Sequence, residues 1–170
     1  MESFPVAAMT SDVPVATAAL HAGALCRRVV ITVAAGEDIS AAARLMREKR
    51  VGYLVVSDVA PEAALRKVVG VLTDRDIVVA VVASETEPRS LRVGDVMTRT
   101  PLLVGEDYLI DAVLRFMRDA GVRRVPVVGK QGELVGVLSL DDVLRSIAEQ
   151  LASIAGSIRC ERQNERLLRT

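Results

Sequence analysis

Apolar and polar positions change their period along the chain, and each change marks an element. The β-branched run 29–33 predicts a short strand. After Gly36, Glu37 and Asp38 the period lengthens to that of a helix over 39–50. Ile39, Ala42, Ala43 and Met46 share one face of it, with charges on the other. Residues 53–56 are apolar without interruption, as in a strand covered on both faces. A loop over 57–66 containing Pro61 leads to a strand over 67–72, and Thr73 opens a helix through about Ala83. The same order then returns, with a strand at 102–104, a helix at 109–120 and a strand at 124–128. A hairpin-type turn at Lys130-Gln131-Gly132, a strand at 133–138 and a long helix from Ser139 complete it.

Each unit thus reads β-α-β-β-α, and the recurrence extends to individual residues. Residues 23–56 lie on 94–127 without a gap, so Gly23 meets Gly94, Arg28 meets Arg99, Met46 meets Met117 and Val51 meets Val122. Both copies close on one phrase, Gly70-Val71-Leu72-Thr73-Asp74-Arg75-Asp76 and Gly136-Val137-Leu138-Ser139-Leu140-Asp141-Asp142. Such self-similarity decides architecture before any single residue does. One copy has too little core to stand alone, so the expected fold is α+β. The two repeats should pack through their sheets about a pseudo-two-fold axis. The expected organisation is a loosely ordered leader at 1–22, repeats at 23–85 and 86–156, and a charged tail at 157–170. Ile147, Leu151, Ile154 and Ile158 continue a helical stripe past the second repeat. That stripe either covers the core or packs against another subunit.

Composition narrows the function. Of 170 residues, 51% are hydrophobic and 2% aromatic, so Val, Leu, Ala and Ile must build the core. The formal net charge of zero gives no reason to expect nucleic acid or an anionic membrane as partner. The longest apolar run, 77–83, falls far short of the roughly 20 residues that cross a bilayer. The N-terminus opens without a basic residue, and Pro5, Asp12 and Pro14 interrupt any signal-like stretch, so a cytoplasmic protein is expected. Cys26 and Cys160 form no metal-spaced pair, and Cys26 falls on Met97, which makes its position apolar in both copies. His21 has no companion His or Cys, and no catalytic constellation emerges.

The closing phrase carries the candidate chemistry. Thr73 with Asp76, and Ser139 with Asp142, place a hydroxyl and a carboxylate three apart at a strand-to-helix junction, the spacing of a capping box. The same groups can meet a ligand, since a helix N-terminus suits phosphate or sugar hydroxyls and a carboxylate accepts from both hydroxyls of a ribose. Gly70 and Gly136 are expected to let a ligand approach the backbone closely.

With these residues in view, the duplicated unit resembles the tandem cystathionine β-synthase (CBS) domain, a pair of which makes a Bateman module. Val93-Gly94-Asp95-Val96-Met97-Thr98-Arg99 looks like the opening of a second repeat, Leu72-Thr73-Asp74-Arg75-Asp76-Ile77 like the close of a first, and Arg123-Arg124-Val125-Pro126-Val127-Val128 like a middle strand. The resemblance covers about 23–155. It implies a stand-alone regulatory module, not an enzyme, that senses AMP, ADP, ATP or a related adenosyl compound in the clefts between repeats. On the matching positions, Thr73, Asp76, Ser139 and Asp142 would hold ribose and nearby phosphate. Arg123 and Arg124 would face phosphates, and Arg75 could add charge. The base would lie near Ile31, Thr32 and Val33 or Leu102, Leu103 and Val104. A homodimer through the helices is expected, with a separate protein reading the signal. Two alternatives stay open: a scaffold dimer with vestigial clefts, and a regulatory subunit of a separate enzyme or transporter. The copies also differ, since Gly52-Tyr53 stands where the second has Arg123-Arg124, so phosphate recognition is expected to be lopsided.

Overall fold

Valine-rich runs become strands and the helical-period runs become helices in both halves of the computed structural model, which describes residues 20–58 and 66–168. The first half holds α1 (Ala22–Leu25), β1 (Thr32–Val33), α2 (Ile39–Lys49), β2 (Tyr53–Asp58), β3 (Lys67–Thr73) and α3 (Asp74–Ile77). A π-helical segment, Val78–Ala83, continues α3, and a 3-10 turn, Pro88–Ser90, follows. The second half holds α4 (Val93–Val96), β4 (Val104–Gly105), α5 (Ile110–Ala120), β5 (Arg124–Val128), β6 (Leu134–Ser139) and α6 (Leu140–Leu168).

The strands form two three-stranded sheets, ordered β1-β2-β3 and β4-β5-β6. In each, the first strand runs parallel to the second and the second antiparallel to the third. Even the irregularity repeats: the register shifts between Val56 and Ser57 in one sheet and between Val127 and Val128 in the other. Period-two alternation sends Leu54 and Val56 into a core with Ile39, Ala42, Met46 and Leu72. Val125 and Val127 likewise join Val113, Met117 and Leu138 in a second core. Tyr53, Val55, Arg124 and Pro126 lie on the opposite faces of β2 and β5. The two halves meet where β3 and β6 begin, with Leu134 N–H donating to Arg66 O at 2.8 Å.

Each core is completed by the chain that leads into the other half. Ala22 of α1 is fully buried in the second core, while Val93 of α4 is fully buried in the first. Arg27 exchanges backbone hydrogen bonds with Val137 of β6, and Thr98 does the same with Val71 of β3. The glycines of the closing phrase serve this crossing. A Cβ on Gly136 would lie 2.6 Å from Cys26 Sγ, and one on Gly70 would lie 2.6 Å from Met97 Sδ. The expectation that a ligand needs these glycines is corrected: the chain's own crossing segments occupy the space.

Several boundaries differ from expectation, and the strand expected at 102–104 lies at Val104–Gly105 instead. The leader was expected to be loose through residue 22, but Ala22 N–H donates to Tyr108 O at 2.8 Å and Ile110 N–H donates to Leu20 O at 2.8 Å. Residues 1–19 lie outside the described residues, as do 59–65, the part of the loop that holds Pro61. The 29–33 strand shortens to Thr32–Val33, with Ile31 O accepting one more bond, from Val55 N–H at 3.2 Å. The helix after Thr73 turns π-helical at Val78, where consecutive β-branched side chains crowd the preceding turn. The charged tail continues α6 as helix to Leu168.

Candidate ligand-binding cleft

The two closing phrases build matching helix starts. Thr73 accepts from Asp76 N–H at 3.2 Å, while its own N–H and hydroxyl donate to Asp76 Oδ2 at 2.8 and 2.7 Å. Ser139 accepts from Asp142 N–H at 3.2 Å, and its N–H donates to Asp142 Oδ2 at 3.1 Å, beside a short bond from its hydroxyl. Both pairs are therefore complete capping structures that satisfy otherwise unpaired N–H groups.

They differ in their second carboxylate oxygen. Asp142 Oδ1 accepts from Arg27 Nε at 2.9 Å and lies 4.0 Å from Arg145 Nη2. Asp76 Oδ1 has no hydrogen-bond partner among the described residues. The Thr73–Asp76 pair thus keeps an acceptor free, whereas a ribose at Asp142 must share the carboxylate with Arg27 or displace it. Burial pushes the Asp142 carboxyl up, but hydrogen bonds from Ser139 and Arg27 outweigh that and hold it below the usual carboxylate range. The bond to Asp142 in turn holds the Arg27 guanidinium more firmly protonated.

Around Ser139 and Asp142 opens a cleft of about 540 Å³, within the range of small-molecule sites. Its walls come from both repeats: Val29, Val30, Ile31 and Tyr53 from the first, and Ser139, Asp141 and Asp142 from the second. Four arginines line it, Arg27, Arg50, Arg124 and Arg145. Burial pushes the Tyr53 hydroxyl well up, against the opposing charge of Arg124, and its oxygen is buried without a hydrogen-bond partner among the described residues. Arg50 is held in the left-handed conformation at φ 54, where α5 ends on Gly121 at φ 66. A side chain in that conformation costs about 1 kcal/mol relative to glycine.

Of the expected site residues, Ser139, Asp142, Arg124 and Ile31 meet in this cleft. Thr73 and Asp76 stand at the corresponding place on the other repeat, while Arg123 and Arg75 are exposed and do not line the cleft. The expected base pocket divides. Thr32 and Val33 border a separate cavity of about 290 Å³ with Arg66, and Val33 and Val104 are buried in the two cores by strand alternation. Leu102 packs against the second core and Leu103 is exposed. Arg27, Arg50, Arg145 and the cleft face of Tyr53 went unread as site residues. Arg50 had a signal, as the bulky residue aligned with Gly121. Asp141 is a cleft residue as well as a charge in the first turn of α6. Cys26 is half-buried, and burial pushes its thiol up.

Comparison with known proteins agrees with this architecture. A family model described as CBS domain matches twice, over residues 22–83 and 93–149. The chain is 32% identical over 123 residues to the uncharacterized protein MK0525 of Methanopyrus kandleri, covering 72% of this chain and 60% of that one. It is 32% identical to hypoxic response protein 1 of Mycobacterium tuberculosis over 76% of this chain and 82% of that protein. The crystal structure of Hypoxic Response Protein I superposes with a TM-score of 0.66 at 30% identity, over 75% of this chain and 98% of the other. The CBS domain pair of MJ0100 superposes with a TM-score of 0.65 at 23% identity, a likeness of fold, over 77% and 98%. Among the described residues no helix is long and apolar enough to cross a membrane.

Proposed function

The chain belongs to the CBS-domain family, and from that premise we propose that it is a non-catalytic regulatory module sensing an adenosine-containing ligand between its repeats. The observation that carries this reading is the convergence, in one cleft, of the Ser139–Asp142 pair from one repeat with Tyr53 and Arg50 from the other. A ligand there touches both halves and favours one relative arrangement of them. It shifts the equilibrium only as far as its affinities for the two arrangements differ. The CBS pair of MJ0100, in complex with 5′-methylthioadenosine and S-adenosyl-L-methionine, is a precedent for adenosyl compounds on this fold. Cytoplasm is the proposed setting, and a separate protein the proposed reader of the signal.

The protein is further proposed to act as a homodimer through α6. Leu140, Leu144, Ile147, Leu151, Ile154 and Ile158 follow alternating spacings of four and three, the heptad pattern of a helix that pairs with a helix. From Leu144 onward all of them are exposed. The flanking positions Ala148, Gln150, Ala155 and Ser157 carry no charge, so a second copy meets no like-charge repulsion along the seam.

Thermal denaturation with AMP, ADP, ATP, S-adenosylmethionine and NADH tests the ligand reading. A true ligand at a hundredfold its dissociation constant stabilises the protein by about 2.7 kcal/mol, a shift of several degrees. The shift should vanish in Asp142→Ala or Asp76→Ala, according to which cleft is filled. No shift across the panel from a protein that remains dimeric would move the function to scaffolding.

A further inference from the structure

The segments that enter the two crossings are related by the repeat. Leu20 aligns with Leu91, and each carbonyl accepts from the first N–H of the helix it meets, Ile110 of α5 at 2.8 Å and Ile39 of α2 at 3.2 Å. Ala22 N–H donates to Tyr108 O at 2.8 Å, as Val93 N–H donates to Glu37 O at 2.9 Å. The chain therefore passes α5 and α2 along the same path. In the first half, the linker 84–91 leads onto that path. Its 3-10 turn, Pro88–Ser90, packs beside α2, and both Leu91 and Leu45 of α2 pack against the first core. In the second half the corresponding stretch before Leu20 is 13–19, which lies outside the described residues.

The surface that this stretch leads onto is apolar. Phe116, the counterpart of Leu45, is exposed, and its ring centre stands 6.2 Å from that of Tyr108. Leu20, Tyr108 and Leu109 are exposed beside them. Tyr108 and Leu109 occupy the positions of Glu37 and Asp38 in the first repeat, so a charged turn there is an apolar turn here. A chain with only two Phe and two Tyr keeps one of each on this patch. Clustered apolar side chains facing water mark a surface that something covers.

Direction, length and composition favour the leader as the cover. His21 and Leu109 form an antiparallel bridge, so going back from Leu20 leads in the same sense as going forward from Ile110 into α5. The 11 residues of α5 span roughly 16 Å, which about five extended residues match. Val13-Pro14-Val15-Ala16-Thr17-Ala18-Ala19 is long enough and carries no charge.

We propose that residues 13–19 of the leader dock along α5 on Tyr108, Leu109 and Phe116, taking the place that the 84–91 linker holds on α2. The docked leader anchors, from its outer end, the segment that continues through Ala22 to the cleft wall at 29–31.

The test is paramagnetic relaxation in the full chain carrying a nitroxide at Val13→Cys, with Cys26→Ala and Cys160→Ser removing the native thiols. The same labelled protein is compared with versions that add Phe116→Glu or Phe116→Leu. The expected result is loss of the amide signals of residues 116–120 to broadening, and their recovery in Phe116→Glu. Phe116→Leu installs the residue of the first repeat and should keep the broadening, which separates lost docking from damage to α5. Broadening that is absent, or that Phe116→Glu leaves unchanged, would overturn the proposal. Mixing nitroxide-bearing chains with isotope-labelled chains that lack the nitroxide identifies the occupant. Broadening of 116–120 between chains would assign the patch to a second copy and overturn the proposal as well.

Discussion

Asp142 is where stability and the proposed binding share one side chain. At 9% exposure it caps α6 through Ser139 and holds Arg27 from the crossing segment, so the carboxylate joins two parts of the chain that lie 115 residues apart. Its carboxyl is held below the value it has in the unfolded chain, despite burial pushing the other way. A lowered folded value means that the charged form stabilises the fold above the unfolded value. The contribution is lost as pH falls through the folded one. Arg27→Ala removes part of what holds the carboxyl down. Wild type should therefore be the more stable protein above about pH 4, and the two melting curves should converge in more acidic solution. Equal stability at neutral pH would show that the Arg27 contact contributes nothing to the fold. Much of this residue-scale picture was legible: a hydroxyl and a carboxylate three apart, present twice, identify both capping pairs. Arg27 was not, because its contact with Asp142 spans nearly the whole chain and no local period records it.

The long helix α6 departs most from what the core requires of an element. Its first turns bury Val143 against the second core, and beyond them it extends through Leu168 as a 29-residue helix, roughly 44 Å at 1.5 Å per residue. Leu151 is 61% exposed and Leu144 64%, each on the same stripe. A lone helix with such a seam gains most by pairing with its like. Leu151→Glu places a charge in the middle of the seam without touching either core. Light scattering after size-exclusion chromatography should give a dimer for wild type and a monomer for the variant; an unchanged mass would place the interface elsewhere. The stripe was visible in the sequence because helical spacing alone reveals it. Where α3 passes into a π-helical segment was not, since β-branched crowding from Ile77 to Val82 distorts a helix without altering its apolar pattern.

At the scale of the molecule, reciprocal crossing limits how the two repeats can move against each other. Each half owns its sheet but borrows part of its core, Ala22 in one direction and Val93 in the other, so neither repeat moves without straining a segment that enters its neighbour. The duplication was plain from the residues and gave the β-α-β-β-α order, yet the crossing was hidden. In sequence Gly70 and Gly136 look like openings for a ligand, and only the fold shows Met97 and Cys26 filling them. The same lesson applies to the cleft, whose capping pairs repeat faithfully while the arginines around them do not. The central claim is that a ligand bound by the Ser139–Asp142 cleft is what this module senses. The most direct measurement is calorimetric titration of ligand-free protein and of Asp142→Ala with ADP. A saturable exothermic isotherm for wild type that disappears in Asp142→Ala, while the variant still melts cooperatively, is the expected result. An isotherm unchanged by the substitution, or no heat from the folded wild-type protein, would contradict the account.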